Sequence, residues 1–241
     1  VKTLLLSGLV LLACAPMTNE AFAQSTVTET FYAIPPMERK VGHQYREDLD
    51  AIWLEMQRGD TDSADERLEP VLAYCEAQHR QGLRLVSVAT VQEYEQYMAE
   101  NADGEPTEWI DVACPMAYKL KGFLLAGAKD NAEAIRWLDK AIALAPYFAD
   151  AHVERGFALG QSGNLDGALA AYQRALALAN EHPSAAHAKP LALRGTGWVL
   201  VEMGDLDGAQ HAYEASLEVD PGSNLAKSEL EYIAQLRKAG R

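Results

Sequence analysis

Apolar and polar positions alternate at helical spacing over most of the chain. From Gln44 onward, Leu49, Trp53 and Met56 fall on one face until Gly59-Asp60 breaks the pattern. A second helix is predicted over 63–78, with Ala64, Leu68, Val71 and Leu72 inward. The pattern then changes. Leu83 to Val88 is apolar and β-branched, which suits a short strand or a buried extended segment. Thr90-x-x-Glu93 is a capping box that opens a helix through Ala99, and Asn101 to Pro106 reads as a turn-rich loop. Helical periodicity resumes near Pro115 in paired segments: 115–128 with 131–145, 149–162 with 165–180, and 190–203 with 206–219. A last helix over 223–239 carries Leu225, Tyr232, Ile233 and Leu236, with Lys and Arg crowding its C-terminal end, where the macrodipole favours them.

The pairs repeat. Gly122 and Gly156 stand 34 residues apart, as do Ala134 and Ala168, Leu138 and Tyr172, and Ala141 and Ala175. The set returns at Gly197, Ala209, Tyr213 and Ser216, delayed by seven extra residues within Asn180–Lys189. Self-similarity at this period signals stacked helical hairpins. Small residues let the two helices of a hairpin approach, and bulky ones fill the gap toward the next hairpin. The turns recur too, as Gly163-Asn164-Leu165 and Gly204-Asp205-Leu206. A weaker copy fits 45–78, where Gly59 precedes Ala64 by five residues, as Gly163 precedes Ala168; Ile52 replaces its mid-helix glycine.

From Pro115 to Pro221 these positions resemble tetratricopeptide repeats. The resemblance implies an all-α chain: a right-handed α-solenoid of helical hairpins with a C-terminal capping helix and a small mixed insert. The expected organisation is a signal peptide at 1–23, an extended arm at 24–43 and a degenerate hairpin at 44–78. An insert of short strand plus helix follows at 79–113, then repeats at 114–148, 149–189 (with an extended junction) and 190–222, and a cap at 223–241.

Charge and targeting narrow the function. The formal net charge of −14 argues against nucleic acid and against docking on an anionic membrane face. Lys2, the apolar run Leu4 to Ala15 and Ala21-Phe22-Ala23 have the layout of a cleaved export signal. Leu11-Leu12-Ala13-Cys14 also resembles a lipobox, which would put a lipid on Cys14. The expected location is the periplasm, the alternative an outer-membrane lipoprotein, with no transmembrane span in the mature chain. Cleavage after Ala23 leaves Cys75 and Cys114, an even pair that reads as a disulfide in an exported protein or, alternatively, as two buried free thiols. In the register of the resemblance, Cys75 ends one hairpin and Cys114 opens the next, so a bridge between them would clamp the neck of the insert.

Aromatic residues supply the candidate site. Phe123, Phe157 and Trp198 each follow a mid-helix glycine by one residue, Trp53 holds the matching place in the weak copy, and Tyr232 follows Trp198 by 34. One residue turns about 100° around a helix. In tetratricopeptide repeats that direction looks into the concave groove where extended peptides bind, so the resemblance implies an aromatic ladder along the groove. The alternative is rings packed on one another or under the arm. Lys119 and Arg194 are the basic residues beside the ladder, with Met116, Val153 and Gln161 as neighbours. Rings stand where the family's carboxylate-clamp class has asparagines, which disfavours that mode. Lys121, Arg155 and Thr196 precede the glycines, where apolar residues are usual, with Glu154 and Arg194 nearby; they read as a recognition spot, an internal ion-pair ladder or snorkelling side chains.

Catalytic signals are poor: HExxH, Walker, GxSxG and CxxC patterns are all missing. Cys75 and His79 have ligand spacing on a helix but lack a second pair. His182 and His187 flank a loop and are expected at the surface. The resulting expectation is a non-catalytic scaffold, without cofactor or metal, that binds a protein or peptide of the cell envelope in its groove. The alternative is a structural subunit of an envelope assembly that uses its convex face or insert while the arm fills its own groove.

Overall fold

The computed structural model describes residues 40–239. The export signal, Cys14 and nearly all of the arm lie outside the described residues. The first hairpin is α1 (Arg46–Gln57) with α2 (Thr61–Ala77). Three further hairpins follow: α4 (Ala113–Gly127) with α5 (Asn131–Leu144), α6 (Ala149–Gln161) with α7 (Leu165–Glu181), and α8 (Lys189–Met203) with α9 (Leu206–Val219). The terminal helix α10 (Asn224–Lys238) packs on α9.

One turn chemistry opens the second helix of every hairpin. Asp60, Asp130, Asn164 and Asp205 each cap by accepting a backbone N–H three residues on, from Ser63, Glu133, Gly167 and Gly208. The residue before each cap is left-handed: Gly59, Gly163 and Gly204 at φ 81°, 84° and 84°, and Lys129 at φ 65°. A glycine holds this backbone freely, whereas a lysine holds it under strain.

Inside each hairpin a glycine faces a bulky side chain. A Cβ at Gly122, Gly156 or Gly197 would stand 2.5, 2.9 or 2.7 Å from Leu138, Tyr172 or Tyr213. The first helices of successive hairpins touch, α4 on α6 and α6 on α8, while α5, α7 and α9 make no comparable contact with one another. Helices that converge on one side and splay on the other describe a curved stack. Its inner face belongs to α4, α6 and α8, with α1 packed on α4 at the N-terminal end.

The segment between α2 and α4 contains two strands, one more than the periodicity indicates. β1 (Arg84–Val86) pairs in parallel with β2 (Thr107–Trp109), Leu85 opposite Glu108. Between them runs α3 (Val91–Glu100), capped by Thr90. Glu93 reaches back from α3 to accept the Ala89 N–H at 2.5 Å, one residue before the cap. The rings of Tyr94 and Tyr97 close on Trp109 at 4.8 and 5.6 Å.

Val86, Val88 and Tyr97 of this segment share a core with α6, α7 and α8, so the insert is built into the solenoid. The Ser87 N–H donates to the Leu144 carbonyl at 2.7 Å, at the end of α5. At its neck the Sγ atoms of Cys75 and Cys114 lie 2.07 Å apart with Cα atoms at 5.6 Å, which is disulfide geometry. The extra residues between α7 and α8 form a 3-10 helix, Pro183–Ala188, that packs on α6, α7 and α8.

Candidate binding groove

The inner face carries its aromatic residues in two pairs. Trp53 of α1 meets Phe123 of α4 edge-on, with centroids 6.5 Å apart. Phe157 of α6 meets Trp198 of α8 at 6.1 Å. The Trp198 ring also lies on bare backbone, since a Cβ on Gly160 would stand 2.4 Å from it. All four rings are half-buried. Tyr232 on α10 is half-buried as well, and among the described residues no ring contact joins it to Trp198.

The two basic residues differ in state. The Arg194 guanidinium donates to Asp220 at 3.0 Å and is neutralised there. The Lys119 ammonium stands 5.2 Å from the Trp53 ring centroid, a cation–π arrangement. It is buried, at 6% exposure.

Lys121 and Arg155 form an ion-pair ladder across the helices. Lys121 bonds Asp65 at 2.7 Å and Glu69 at 2.9 Å, joining α4 to α2, and Arg155 bonds Asp139 at 2.6 Å, joining α6 to α5. Thr196 joins no ladder; its Oγ1 is buried without a hydrogen-bond partner.

Both loop histidines are placed differently from the surface expectation. His182 is 1% exposed, stacked on Tyr147 at 4.8 Å. His187 reaches from the 3-10 helix to Asp150 at 2.8 Å. The junction that looked like an exposed loop is folded against the N-terminus of α6 and against α3, where Ser184 donates to Glu93. A cavity of about 40 Å³ lies at this joint, lined by Ser87, Glu93, Asp150, Ser184 and His187 among others. It has room for a few water molecules and not for an organic ligand.

Of the two buried acids of α6, the sequence marks Glu154 as a neighbour of the polar positions before the glycines and leaves Asp150 unmarked. Burial alone would raise Asp150, but its bond to His187 outweighs that and holds the carboxyl below the ordinary range. The same bond overcomes burial at His187 and raises its imidazole. Glu154, one turn along, has no such partner. Burial pushes its carboxyl up to about 7, with the Lys119 charge opposing and the Asp150 charge adding. Their signal in the sequence was acid at i and i+4 in a helix whose other inward positions are apolar.

His79 meets the Tyr118 hydroxyl at 3.3 Å, and no cluster of metal-ligating side chains is found among the described residues. No described helix is long and apolar enough to cross a membrane.

Together these features define a helical-hairpin solenoid with an aromatic, charge-bearing inner face. Residues 147–221 match the family model described as tetratricopeptide repeat. That segment therefore carries tetratricopeptide repeats, and α1–α2 and α4–α5 are further helical hairpins N-terminal to it. Among solved structures it is similar to the first tetratricopeptide domain of Spaghetti (RPAP3) bound to an HSP90 peptide, at 23% identity and TM-score 0.47, covering 53% of this chain and 96% of that one. It is similar to MamA at 20% identity and TM-score 0.48, covering 80% and 82%. A thermophilic tetratricopeptide protein of Thermus thermophilus aligns at 19% identity and TM-score 0.41, covering 79% and 98%. No curated protein matches the chain.

Proposed function

We propose that the protein is a non-catalytic scaffold of the cell envelope that holds a protein or peptide partner along its inner face. The observation that carries this reading is the pair of half-buried ring couples, Trp53–Phe123 and Phe157–Trp198, on helices that line one concave side. Half-buried aromatic residues in a groove offer large apolar area at low entropic cost. The export signal read in 1–23 supports an envelope location, with Cys14 the candidate lipid anchor. Cys75 and Cys114 at bonding distance suit an oxidising compartment.

The experiment is photo-crosslinking from position 157 in living cells, followed by mass spectrometry. A specific partner captured there, and lost in Phe157→Ala and Trp198→Ala with unchanged helicity, is the expected result. No capture at 157 removes the reading.

The alternative, assembly through the insert, has its own observation: Val91 and Met98 on α3 are 41% and 45% exposed. Deleting the insert would not test it, because Val86, Val88 and Tyr97 belong to a shared core. Val91→Ser with Met98→Ser leaves that core intact. Loss of an assembly in this variant, with the position-157 crosslink absent, would favour the insert.

A further inference from the structure

The junction Pro183–Ala188 is a 3-10 helix, and in that geometry side chains three residues apart eclipse. Ser184 and His187 therefore project from one side of it, and both line the small cavity at the joint. Ser184 donates to Glu93 of α3, whose other carboxylate oxygen accepts the Ala89 N–H. His187 Nε2 donates to the buried Asp150 at 2.8 Å, in the first turn of α6. The junction is pinned on one side to the insert and on the other to α6. The next residue, Lys189, opens α8.

The two pins differ in chemistry. A serine hydroxyl keeps its proton across the working pH range, and an imidazole does not. A neutral imidazole has one N–H and an imidazolium has two. Two acceptors meet the His187 ring: the Asp150 carboxylate and the Ser184 backbone. Only the protonated ring satisfies both. Charged groups face it from three helices: Asp150 from α6 with Glu154 one turn beyond, Lys119 from α4, and Glu93 from α3 across the cavity. His182 and Lys189 flank the junction in the chain. Burial and, more weakly, Lys119 oppose the imidazolium, and the bonds to Asp150 and the Ser184 backbone outweigh them.

We propose that His187 and Asp150 form a proton-operated latch on the seam between α6 and α8. The imidazolium draws the junction, and with it the start of α8, against the first turn of α6; loss of its proton slackens the seam. Phe157 stands seven residues beyond Asp150 on α6, and Trp198 eleven beyond His187. The couple these rings form closes the same seam roughly 10 Å further along, at 1.5 Å per residue. The latch thereby sets how α6 and α8 face each other, whether or not a partner lies on the inner face.

The sign of each shift gives the window. Asp150 is held below the ordinary carboxylate range, so its share is present above that range and is lost as pH falls through the depressed value. His187 is held above the ordinary imidazole range, so its share is full below that range and is lost as pH rises through the folded value. The latch is shut in mild acid and slack in mild alkali.

The test labels the full chain with 5-fluorotryptophan and follows it by fluorine NMR from about pH 5.5 to about pH 9, on both sides of the imidazole range. Trp198→Phe assigns the Trp198 resonance, and His187→Gln assigns the His187 ring protons in the same samples. The Trp198 resonance is expected to move with the His187 midpoint, which lies above that of free histidine. Asp150→Asn lowers both midpoints together. His187→Gln, which keeps a donor for Asp150 and cannot titrate, abolishes the Trp198 movement. Glu154→Gln preserves it, which separates the latch from the Glu154 carboxyl titrating nearby. Amide exchange at 185–188, corrected for intrinsic rates, rises with pH by up to tenfold for each unit by which the His187 midpoint exceeds that of free histidine.

A Trp198 resonance that stays still while His187 titrates overturns the latch. So does the same movement in His187→Gln, a His187 midpoint at or below that of free histidine, or corrected exchange at 185–188 that ignores the state of His187.

Discussion

The ring of Tyr172 on α7 lies against the bare backbone of Gly195 on α8, so close that a Cβ there would stand 2.2 Å from it. The same ring faces Gly156 on α6, at 2.9 Å from a notional Cβ. One side chain thus holds a hairpin together and joins it to the next. Gly195→Ala is expected to destabilise the fold by about 1–3 kcal/mol through overpacking. Urea unfolding measures it, and Tyr172→Leu in the same background should recover part of the loss as a coupling energy.

Lys129 holds at φ 65° a backbone that glycine holds in the other three hairpin turns. Lys129→Gly removes that strain at some entropic cost in the unfolded chain. The net expectation is a gain of roughly 0.5–1 kcal/mol, read as a raised thermal midpoint. A lowered midpoint would mean that the lysine side chain makes a contact worth more than the strain.

Cys75 and Cys114 are separated by 39 residues. Closing a loop of that size is worth about 3–4 kcal/mol in the chain-entropy account. Alkylation followed by intact mass on protein purified without reductant should find both thiols blocked. Cys75→Ser with Cys114→Ser should lower stability by about the stated amount; two alkylated thiols in the native chain would refute the bridge.

Acidity should act on stability in two opposed windows. Glu154, raised to about 7, favours the fold fully below the ordinary carboxylate range, and this contribution is lost as pH rises toward 7. His152 is depressed to about 4 by burial, with Arg174 and Arg155 adding to it. Its contribution is present above the ordinary imidazole range and is lost as pH falls toward 4. Glu154→Gln should therefore be more stable than the native chain at pH 8, by roughly 2–3 kcal/mol at most, with the difference fading toward pH 4.5. A variant less stable at pH 8 would show that the carboxylate has a donor in the folded chain.

The hairpins were legible because their determinants are local and recur: a cap, a left-handed residue, a small residue five further on. The Thr90 cap was legible for the same reason. The strand Thr107–Trp109 was not, because three residues of mixed polarity become a strand only when β1 lies beside them. Gly195 stood unmarked, since its role is to make room for a ring 23 residues away on another helix. The four groove rings were found by register, but their division into two couples depends on how closely each helix approaches the next. His182 and His187 read as surface residues because hydropathy does not register a junction folded back on α6. Glu154 was legible only as a neighbour of the polar positions before the glycines, because one carboxylate among 35 acidic residues gains its buried character from what surrounds it.

A bridge between Cys75 and Cys114 would have a mechanical consequence. When the chain is pulled from its ends, tension leaving α2 can cross from Cys75 to Cys114 and enter α4 without stretching 76–113. Residues 76–113 then hang beside the load path as a side loop. In the oxidised protein the contour length released before the hairpins rupture should be shorter by that whole segment than in the reduced one.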